Sequence, residues 1–342
     1  MIEDARVLQD EFIPEEIEHR NDELNRLSKA LEPCLDGGTP ENTVLFGPSG
    51  TGKTCIAKYT LNQLREESPG IDTKYVNCWQ NYNRYRTIEE LLEGLGVTDT
   101  LNRKITAKDE YIHRLADEVD GPYIVILDEV DQLDDSSVLY DLYTLSEITM
   151  ILIANRETEL FYRLDDRISS RLKGAARLKL NKYGMDELVE ILEARVRWGL
   201  APDSISRTEL EFISDLAAGD ARVGISILRS AANYASREGY DQITEEVIEQ
   251  AVPGAKEEIR QQNLEKLNGH QLRLYEIIEE QGEVGPGELY EQYEAESDDP
   301  MTQRTIRNYL SKMEQYNLLE AEGTSRDREY SLVDSAAASP MQ

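Results

Sequence analysis

One eight-residue loop constrains the fold of this chain more than any other feature. Residues 47–54 read GPSGTGKT and match the pattern GxxxxGK[ST] at every fixed position. An apolar run from Thr43 to Phe46 precedes the loop, and a helical pattern through Cys55 and Ile56 follows it. This order of strand, glycine-rich loop and helix is the context in which the pattern binds phosphate groups. The alternative is a glycine-rich turn that only caps a helix.

The residue types in the loop suit a bound phosphate chain. Glycines allow consecutive backbone N–H groups to curl around an anion, and the amino end of the next helix adds a partial positive charge. We expect the Lys53 ammonium to reach the β- and γ-phosphates and the Thr54 hydroxyl to ligate Mg²⁺. Apolar runs alternate with helical stretches around this loop, which predicts an α/β P-loop domain with a parallel sheet.

Polar residues at the ends of two later apolar runs extend the predicted site. The run from Tyr123 to Leu127 ends at Asp128 and Glu129. We expect Asp128 to hold Mg²⁺ through water and Glu129 to polarise the water that attacks the γ-phosphate. Residues 150–154 form a second run that ends at Asn155, whose amide is expected to orient the same water. An ordinary solvated strand end is the alternative for each acid taken alone.

Two arginines farther along the chain are candidates for phosphate contacts. Residues 167–184 contain six basic side chains and no acidic one. This window is either a solvated basic face or the setting for Arg171 as a finger that reaches a neighbouring subunit's γ-phosphate. The sequence GDAR from Gly219 to Arg222 opens a later helix and places Arg222 where a lid closes on the phosphates.

The chain divides into three predicted domains and a tail. Residues 1–180 form the predicted α/β core, and 181–255 show helical spacing throughout and form a predicted all-α lid. A break is expected at Pro253 and Gly254, after which residues 256–334 form a C-terminal domain. The low-complexity tail at 335–342 is expected to be disordered.

The C-terminal domain is predicted to be a winged helix-turn-helix. Helices are expected near 270–281, after Pro286 and over 302–316, with strands near 318–322 and 328–332 around a wing. On the third helix the apolar residues fall on one side and a basic, polar set falls on the other. Arginine can grip guanine and asparagine can read adenine, so this set suits a DNA groove. The candidate DNA-binding residues are Arg304, Arg307, Asn308, Ser311, Arg326 and Arg328. A winged helix that contacts protein is the alternative.

The strongly acidic composition bears on that prediction. The net charge is −31, and such an excess ordinarily argues against nucleic acid as a partner. A second interpretation is adaptation to a salt-filled cytoplasm, where the Debye length is about 3 Å at molar salt. We favour this interpretation because acid-free basic windows remain at 167–184 and 300–313, where phosphates are expected.

Other classes are excluded by simpler patterns. No apolar run approaches the ~20 residues of a membrane span, and the first residues lack the basic and apolar regions of a secretory signal. The three cysteines form no CxxC pair, so no structural metal site is predicted and a reducing, cytoplasmic setting is expected.

Together these motifs resemble those of the AAA+ ATPases. Three segments narrow the resemblance to archaeal replication initiators related to the origin-recognition complex. They read LDEVDQL at 127–133, RLDDRISSRL at 163–172, and FIP, HR and E at 12–14, 19–20 and 23. The resemblance implies ATP or ADP with Mg²⁺, slow hydrolysis that acts as a switch, and a cytoplasmic, nucleoid-associated protein. It also implies origin DNA, the replicative minichromosome maintenance helicase and other initiator subunits as partners.

The resemblance also implies roles for individual residues. Asn155 matches sensor 1, Arg222 matches sensor 2, and Tyr183 and Arg195 match lid positions that contact the nucleotide. For Tyr183 a core aromatic is the alternative, and for Arg195 a surface charge. The implied nucleotide-binding residues are Pro14, His19, Arg20, Gly47, Pro48, Ser49, Gly50, Thr51, Gly52, Lys53, Thr54, Cys55, Tyr183, Arg195 and Arg222.

The leading hypothesis is an ATP-dependent replication initiator that binds origin DNA and helps to recruit the helicase. The alternative is an ATP-dependent winged-helix transcription regulator, which would not require Asn155, Arg171 and the GDAR element in this order. A clamp-loader subunit shares the Ser-Arg pair but has no reason to carry a winged helix.

Overall fold

The structure, a computed structural model, describes residues 1–97, 108–297, 299–323 and 328–333. The chain forms two compact units. The core unit contains Glu11–Ile191 and Gly219–Ala221, and the helical unit contains Met1–Asp10, Leu192–Ala218 and Arg222–Gln342.

Five parallel strands form the sheet of the core unit. They are β1 (Thr43–Phe46), β2 (Asp72–Asn77), β3 (Tyr123–Asp128), β4 (Ile148–Ala154) and β5 (Ala176–Lys179). Their order across the sheet is β2-β3-β4-β1-β5, and every neighbouring pair is parallel. The predicted parallel α/β core is therefore confirmed, and β5 is a strand that the sequence patterns do not single out.

Helices cover both faces of this sheet. They are α1 (Asn21–Leu31), α2 (Lys53–Glu67), α3 (Arg84–Gly94), α4 (Lys108–Glu118), α5 (Ser137–Thr144), α6 (Glu157–Arg163) and α7 (Asp166–Leu172), and helix α8 (Met185–Gly199) follows β5 along the chain. Every residue of β3 and β4 is buried. Alternate residues of β3 belong to different hydrophobic clusters: Ile124 and Ile126 pack with α1 and α2, whereas Val125 and Leu127 pack with α3 and α5. Burial on both faces explains why these strands are continuous apolar runs.

The helical unit continues from the second half of α8. Its further helices are α9 (Arg207–Ala217), α10 (Ala221–Glu238), α11 (Glu245–Glu265), α12 (Gly269–Gln281), α13 (Pro286–Glu296) and α14 (Gln303–Gln315), of which α10 begins at the last residue of the core unit. The amino-terminal segment belongs to this unit as well: Ile2 forms a β-bridge with Leu200, and the N–H of Glu3 donates to the carbonyl of Gly199.

The break expected at Pro253 and Gly254 is wrong. Helix α11 runs through both residues without interruption. Proline removes one helical N–H donor, which frees the carbonyl four residues earlier, on Glu249. Both Pro253 and Glu249 are exposed, so water can satisfy that carbonyl and the helix continues.

The last three helices and a small sheet follow one another in the order that the winged-helix prediction requires. Strands β6 (Glu283–Val284), β7 (Leu319–Glu322) and β8 (Glu329–Leu332) form an antiparallel sheet in the order β6-β8-β7. The sequence predicts β7 and β8 within one residue of their observed bounds, whereas β6 is too short to show a periodic pattern. The tail at 335–342 lies outside the described residues.

Candidate functional site

The phosphate loop connects β1 to α2 at the carboxyl edge of the parallel sheet. Strand β1 ends at Phe46 and helix α2 begins at Lys53, so the first turn of a fifteen-residue helix faces the loop. Gly50 and Gly52 have φ values of 69° and 88°, in the left-handed region that favours glycine. The predicted strand, loop and helix are therefore confirmed at this position.

Two loop glycines are required because other groups press against them. A Cβ added to Gly47 would lie 2.1 Å from the carbonyl oxygen of Leu180, and one added to Gly50 would lie 1.8 Å from Oδ1 of Asp220. The N–H of Ala221 also donates to the carbonyl of Gly50 across 3.1 Å. The GDAR element thus begins directly on the phosphate loop, a contact that no local sequence signal predicts.

Gly52 is backed by a stacked pair of side chains from two other parts of the core unit. A Cβ on Gly52 would lie 2.6 Å from the hydroxyl oxygen of Tyr183. The guanidinium carbon of Arg20 lies 4.1 Å from the centre of the Tyr183 ring, and Nη2 of Arg20 donates to the carbonyl of Asn181 across 2.7 Å. Burial raises the pKa of Tyr183, and the Arg20 charge opposes that rise. Arg20 and Tyr183 are therefore brought together beside the loop.

Pro14 and His19, two more of the implied nucleotide-binding residues, lie in the same N-terminal segment as Arg20. Pro14 is half-buried, and His19 has a φ of 57° with its Nε2 atom 3.0 Å from Oε2 of Glu190. A positive φ outside glycine indicates a backbone held by its surroundings. The segment is thus anchored at His19 and Arg20.

Lys53 is held in place by loop carbonyls. It is 8% exposed, and its ammonium donates to the carbonyls of Gly47 and Pro48 across 2.6 and 2.7 Å. The ammonium also lies 3.3 Å from Oδ1 of Asn155. Two predicted site residues, one at the start of α2 and one after β4, therefore meet. A phosphate oxygen would offer this ammonium a charge-assisted partner, which is stronger than a carbonyl.

Asp128 accepts hydrogen bonds from three donors. Its Oδ2 atom accepts from the hydroxyl of Thr54 across 2.7 Å and from that of Tyr75 across 3.1 Å. Its Oδ1 atom accepts from the N–H of Glu129 across 2.9 Å. Burial raises the pKa of Asp128, and the neighbouring Glu129 charge adds to that rise, while Thr54 and Lys53 lower it. Tyr75 is a site residue that sequence reasoning missed, because β2 showed only a strand pattern.

The oxygen donors at this site fit Mg²⁺ better than they fit a metal ion that is coordinated entirely by protein side chains. Thr54 supplies a hydroxyl and Asp128 a carboxylate, both oxygen ligands that Mg²⁺ prefers. No group of three or more histidine, cysteine or acidic side chains capable of holding a metal occurs among the residues that the structure describes. Mg²⁺ typically keeps several waters and binds through one or two protein groups plus substrate phosphates.

Glu129 follows Asp128 in a strained conformation. Its φ and ψ are 56° and 39°, in the left-handed region, and the residue is half-buried. Such outliers cost about 1–3 kcal/mol and cluster at functional sites. The turn directs the chain away from β3 directly after the buried carboxylate of Asp128.

Arg171 lies on an exposed face of the core unit. Its guanidinium carbon lies 4.7 and 5.7 Å from the ring centres of Tyr140 and Tyr143, and Nη1 donates to the carbonyl of Arg167 across 3.1 Å. The side chain is thus exposed while its guanidinium is supported by two aromatic rings. Its role as a finger toward a neighbouring subunit stays a prediction.

Arg195 and Arg222 lie in the helical unit. Arg195 is 8% exposed rather than at the surface, and its Nη1 donates to the carbonyl of Val7 across 2.6 Å. The guanidinium carbon of Arg222 lies 5.9 Å from the ring centre of Tyr316. The surface-charge interpretation of Arg195 is therefore wrong, and both nucleotide contacts stay predictions.

Helix α14 presents the two faces that the sequence predicts. Ile306, Leu310 and Met313 are buried. The opposite face carries three exposed side chains and a half-buried one, in order Arg304, Arg307, Ser311 and Asn308. The segment 300–313 that carries these side chains contains no acidic residue, and the first acid on the helix is Glu314 near its end.

The structure describes one of the two arginines that were predicted to contact DNA from the wing. Arg328 pairs with Glu314 through one nitrogen, Nη2, which lies 2.9 Å from each carboxylate oxygen. Arg328 therefore links the end of the wing to α14. A DNA contact by Arg328 would compete with this ion pair, and it stays a prediction. Arg326 lies outside the described residues.

Comparisons with known proteins agree with this geometry. Residues 37–160 match the family described as AAA domain, and residues 189–252 match the Cdc6 AAA+ ATPase-type lid domain. ORC1-type DNA replication protein 9 of Halobacterium salinarum is 50% identical over 343 residues, covering 100% of this chain and 97% of that protein.

The chain belongs to the ORC1-type DNA replication proteins. A second member of this family from Halobacterium salinarum, ORC1-type DNA replication protein 1, is 49% identical over 90% of this chain and 100% of its own length. The structure of the Aeropyrum pernix ORC1 protein in complex with DNA is similar, with a TM-score of 0.76, 25% identity, and coverage of 97% of this chain and 94% of that chain.

Membership of the ORC1-type family confirms the AAA+ class, nucleotide binding and a part in replication initiation. The relatives from Halobacterium also support adaptation to high salt as the meaning of the −31 charge. Within the described ranges, no helix is long and apolar enough to cross a membrane.

Proposed function

We propose that this protein is an ATP-switched initiator that binds double-stranded origin DNA and helps to recruit the replicative minichromosome maintenance helicase. The observation that carries the proposal is the acid-free segment at 300–313, which exposes Arg304 and Arg307 on α14 in a chain of net charge −31 that also holds an assembled phosphate-loop site. In a chain this acidic, exposed basic side chains clustered on one helix favour a polyanion such as DNA as the partner.

In the proposed ATP site, the phosphate loop and the carboxyl ends of β3 and β4 have different roles. The loop N–H groups and Lys53 would bind the phosphates, while Thr54 and Asp128 would hold Mg²⁺, which supplies charge neutralisation at the phosphates. Glu129 would accept a proton from the attacking water, and Asn155, 3.3 Å from the Lys53 ammonium, would orient that water. Arg171 of one subunit would complete the site of another.

The remaining assignments concern the base, the lid and the domains. Pro14, His19 and Arg20 would border the adenine, with Tyr183 beside the loop. Arg195 and Arg222 would contact the bound nucleotide. We propose the division into an ATPase core at 1–180, a lid at 181–255 and a DNA-binding domain at 256–334.

DNA recognition is proposed to rest on base contacts more than on phosphate contacts. In molar salt, release of counterions from DNA contributes little, because affinity falls with a log–log slope of about −0.9 per neutralised phosphate. The side chains of Arg304, Arg307 and Asn308 would then carry much of the specificity through the major groove. Replacing Arg307 with alanine is expected to cost about 1–3 kcal/mol of binding and to relax specificity at one position.

Footprinting tests the DNA-binding part directly. The full chain is tested in molar KCl on repeats beside its own gene, with ATP, with ADP and without nucleotide. We expect protection of repeats that changes with the nucleotide and weakens in Arg307→Ala. The matched control is Arg273→Ala on α12, where the guanidinium is paired with Glu276 at 3.1 Å. Absence of protection at every candidate origin under all three conditions would overturn the proposal.

Helicase recruitment is a separate claim with its own test. The purified helicase is added to the protein on origin DNA, and co-sedimentation is measured with ATP and with ADP. Recruitment that depends on origin DNA and on the nucleotide supports the proposal. Helicase binding that is absent in both nucleotide states would remove this part of it while leaving origin binding intact.

A further inference from the structure

Tyr75 occupies a distinctive place beside the candidate Mg²⁺ site. It lies in β2, which pairs with β3 in the register Tyr75 to Ile126. Its ring packs against the cluster that joins α1 and α2 to the sheet. Its hydroxyl donates to Oδ2 of Asp128, the carboxylate at the end of β3, across 3.1 Å. A residue on a neighbouring strand therefore contacts the acid on which metal binding depends.

The hydrogen bonds of Asp128 fix its carboxylate in one orientation. Oδ2 accepts from both Thr54 and Tyr75, and Oδ1 accepts from the N–H of Glu129. Two donors on one oxygen and one on the other oppose rotation of the carboxylate plane. A metal ligand that is already oriented loses less rotational freedom when the ion arrives, and second-sphere partners of this kind strengthen metal binding.

The Tyr75 ring is itself held by α2. The ammonium of Lys58 lies 3.7 Å from the ring centre, close enough for a cation–π contact. Lys58 is four residues after Thr54, so both side chains project from the same face of α2. Helix α2 thus contacts Asp128 twice, directly through Thr54 and indirectly through Lys58 and Tyr75.

We propose that Tyr75 is a positioning residue that orients Asp128 for Mg²⁺, with Lys58 holding its ring. The proposal rests on the proposed function, because it requires that Thr54 and Asp128 hold the metal of a bound nucleotide. It adds a residue from outside the sequence motifs and an indirect path from the phosphate-loop helix to the metal ligand.

Removal of one hydroxyl tests the proposal. In Tyr75→Phe the ring and its contact with Lys58 remain while the bond to Asp128 is lost. Tyr123→Phe is the matched control: Tyr123 begins the same strand β3 that Asp128 ends, and its buried hydroxyl donates to the carbonyl of Leu91 across 2.7 Å. Both variants lose one hydrogen-bonded tyrosine hydroxyl of the same sheet, that of Tyr123 at the start of β3 and that of Tyr75 beside Asp128 at its end.

The measurement is the affinity for ATP by titration calorimetry, in molar KCl, across a range of Mg²⁺ concentrations and in excess chelator. We expect Tyr75→Phe to raise the Mg²⁺ concentration for half-maximal tightening by about tenfold, the usual cost of losing a second-sphere partner. Affinity for metal-free ATP should stay at the wild-type value in Tyr75→Phe. Tyr123→Phe should match the wild type in both conditions.

Lys58→Met supplies a second variant that keeps the hydroxyl and an apolar stem over the ring. We expect a smaller loss of Mg²⁺ sensitivity in the same direction. An unchanged Mg²⁺ dependence in Tyr75→Phe, or an equal loss of affinity with and without metal, would overturn the positioning role. A wild-type protein whose ATP affinity does not respond to Mg²⁺ would overturn the proposed metal site itself, so the two failures are distinguishable.

Discussion

The hydroxyl of Thr54 donates a hydrogen bond to Oδ2 of Asp128 across 2.7 Å, joining residues 74 positions apart in the chain. Thr54 ends the phosphate loop and Asp128 ends a buried strand two places away in the sheet. The bond brings the loop and the acidic strand end together into one site. Groups that hold one another by hydrogen bonds in this way favour a preorganised site for the phosphates and the metal.

Replacement of Lys53 with alanine is expected to weaken ATP binding by about 100-fold. Loss of one partner of a buried charge pair costs about 2–5 kcal/mol, and each 1.4 kcal/mol is a factor of ten. Binding of a fluorescent ATP analogue measures the change. Lys29→Ala, an exposed lysine near the end of α1, is the control and should bind like the wild type. Equal affinity in Lys53→Ala and wild type would contradict the assignment.

Replacement of Glu129 with glutamine is expected to separate binding from hydrolysis. The amide keeps the size of the side chain but cannot accept a proton, and a general base contributes roughly 10²–10⁴-fold to the rate. ATP affinity should remain near the wild-type value while phosphate release falls by at least about 100-fold. Glu67→Gln at the exposed end of α2 controls for loss of one negative charge. Full turnover in Glu129→Gln would assign the base to another residue.

Alanine at Gly52 is expected to destabilise the protein more than alanine at a glycine that has the same strain but open space. Gly37 has a φ of 72° and nothing within 4 Å of an added Cβ, so Gly37→Ala measures the left-handed strain alone, about 1 kcal/mol. Gly52→Ala adds overlap with the Tyr183 hydroxyl, a further ~1–3 kcal/mol. Urea unfolding of the two variants compares the losses.

The same pair of residues offers a rescue experiment. The ring carbon that carries the Tyr183 hydroxyl lies 3.8 Å from the added Cβ, an ordinary contact. Tyr183→Phe combined with Gly52→Ala should therefore recover the part of the loss that comes from overlap and leave the strain. No recovery in the double variant would show that Tyr183 does not back the loop.

Stability is expected to fall in mildly acidic solution because of His270. Its Nδ1 atom lies 2.7 Å from the hydroxyl of Tyr293, which also accepts the N–H of Met301 across 3.3 Å. Burial lowers the pKa of His270 below the ordinary 6.5, against a smaller opposing effect of Asp299. The unfolded chain therefore binds a proton more readily, so stability is lost as the pH falls through 6.5 and is retained above it.

Thermal unfolding across this pH range measures the effect. His270→Gln should remove that part of the acid-induced loss, whereas His113→Gln, at an exposed position of α4, should unfold like the wild type at every pH. An identical pH profile in wild type and His270→Gln would contradict the role of this histidine.

The sequence predicts the parts of the fold whose cause is local. The loop at 47–54, the three apolar strands β1, β3 and β4, and the two faces of α14 each follow from spacing within a short segment, and the structure bears out each of them. The joint position of Asp128 and Asn155 also follows, because the carboxyl ends of parallel strands share one edge of a sheet.

Features that depend on distant partners are not predictable in this way. Asp220 and Tyr183 press on the phosphate loop from segments more than 100 residues away, and Tyr75 reaches Asp128 from another strand. Arg195 is buried because the first residues of the chain supply a carbonyl acceptor. At Pro253 the rule that proline ends a helix fails, because the carbonyl that loses its hydrogen-bond donor belongs to an exposed residue and water can reach it.

Genome-wide occupancy of the protein in its native host tests whether it binds replication origins. Cells that carry a tagged wild-type chain are compared with cells that carry Arg307→Ala and Lys53→Ala, and bound sites are mapped against replication start sites and promoters. We expect occupancy concentrated at replication start sites, reduced with Arg307→Ala and altered with Lys53→Ala. Occupancy concentrated at promoters away from replication start sites would contradict it and assign the protein to transcription.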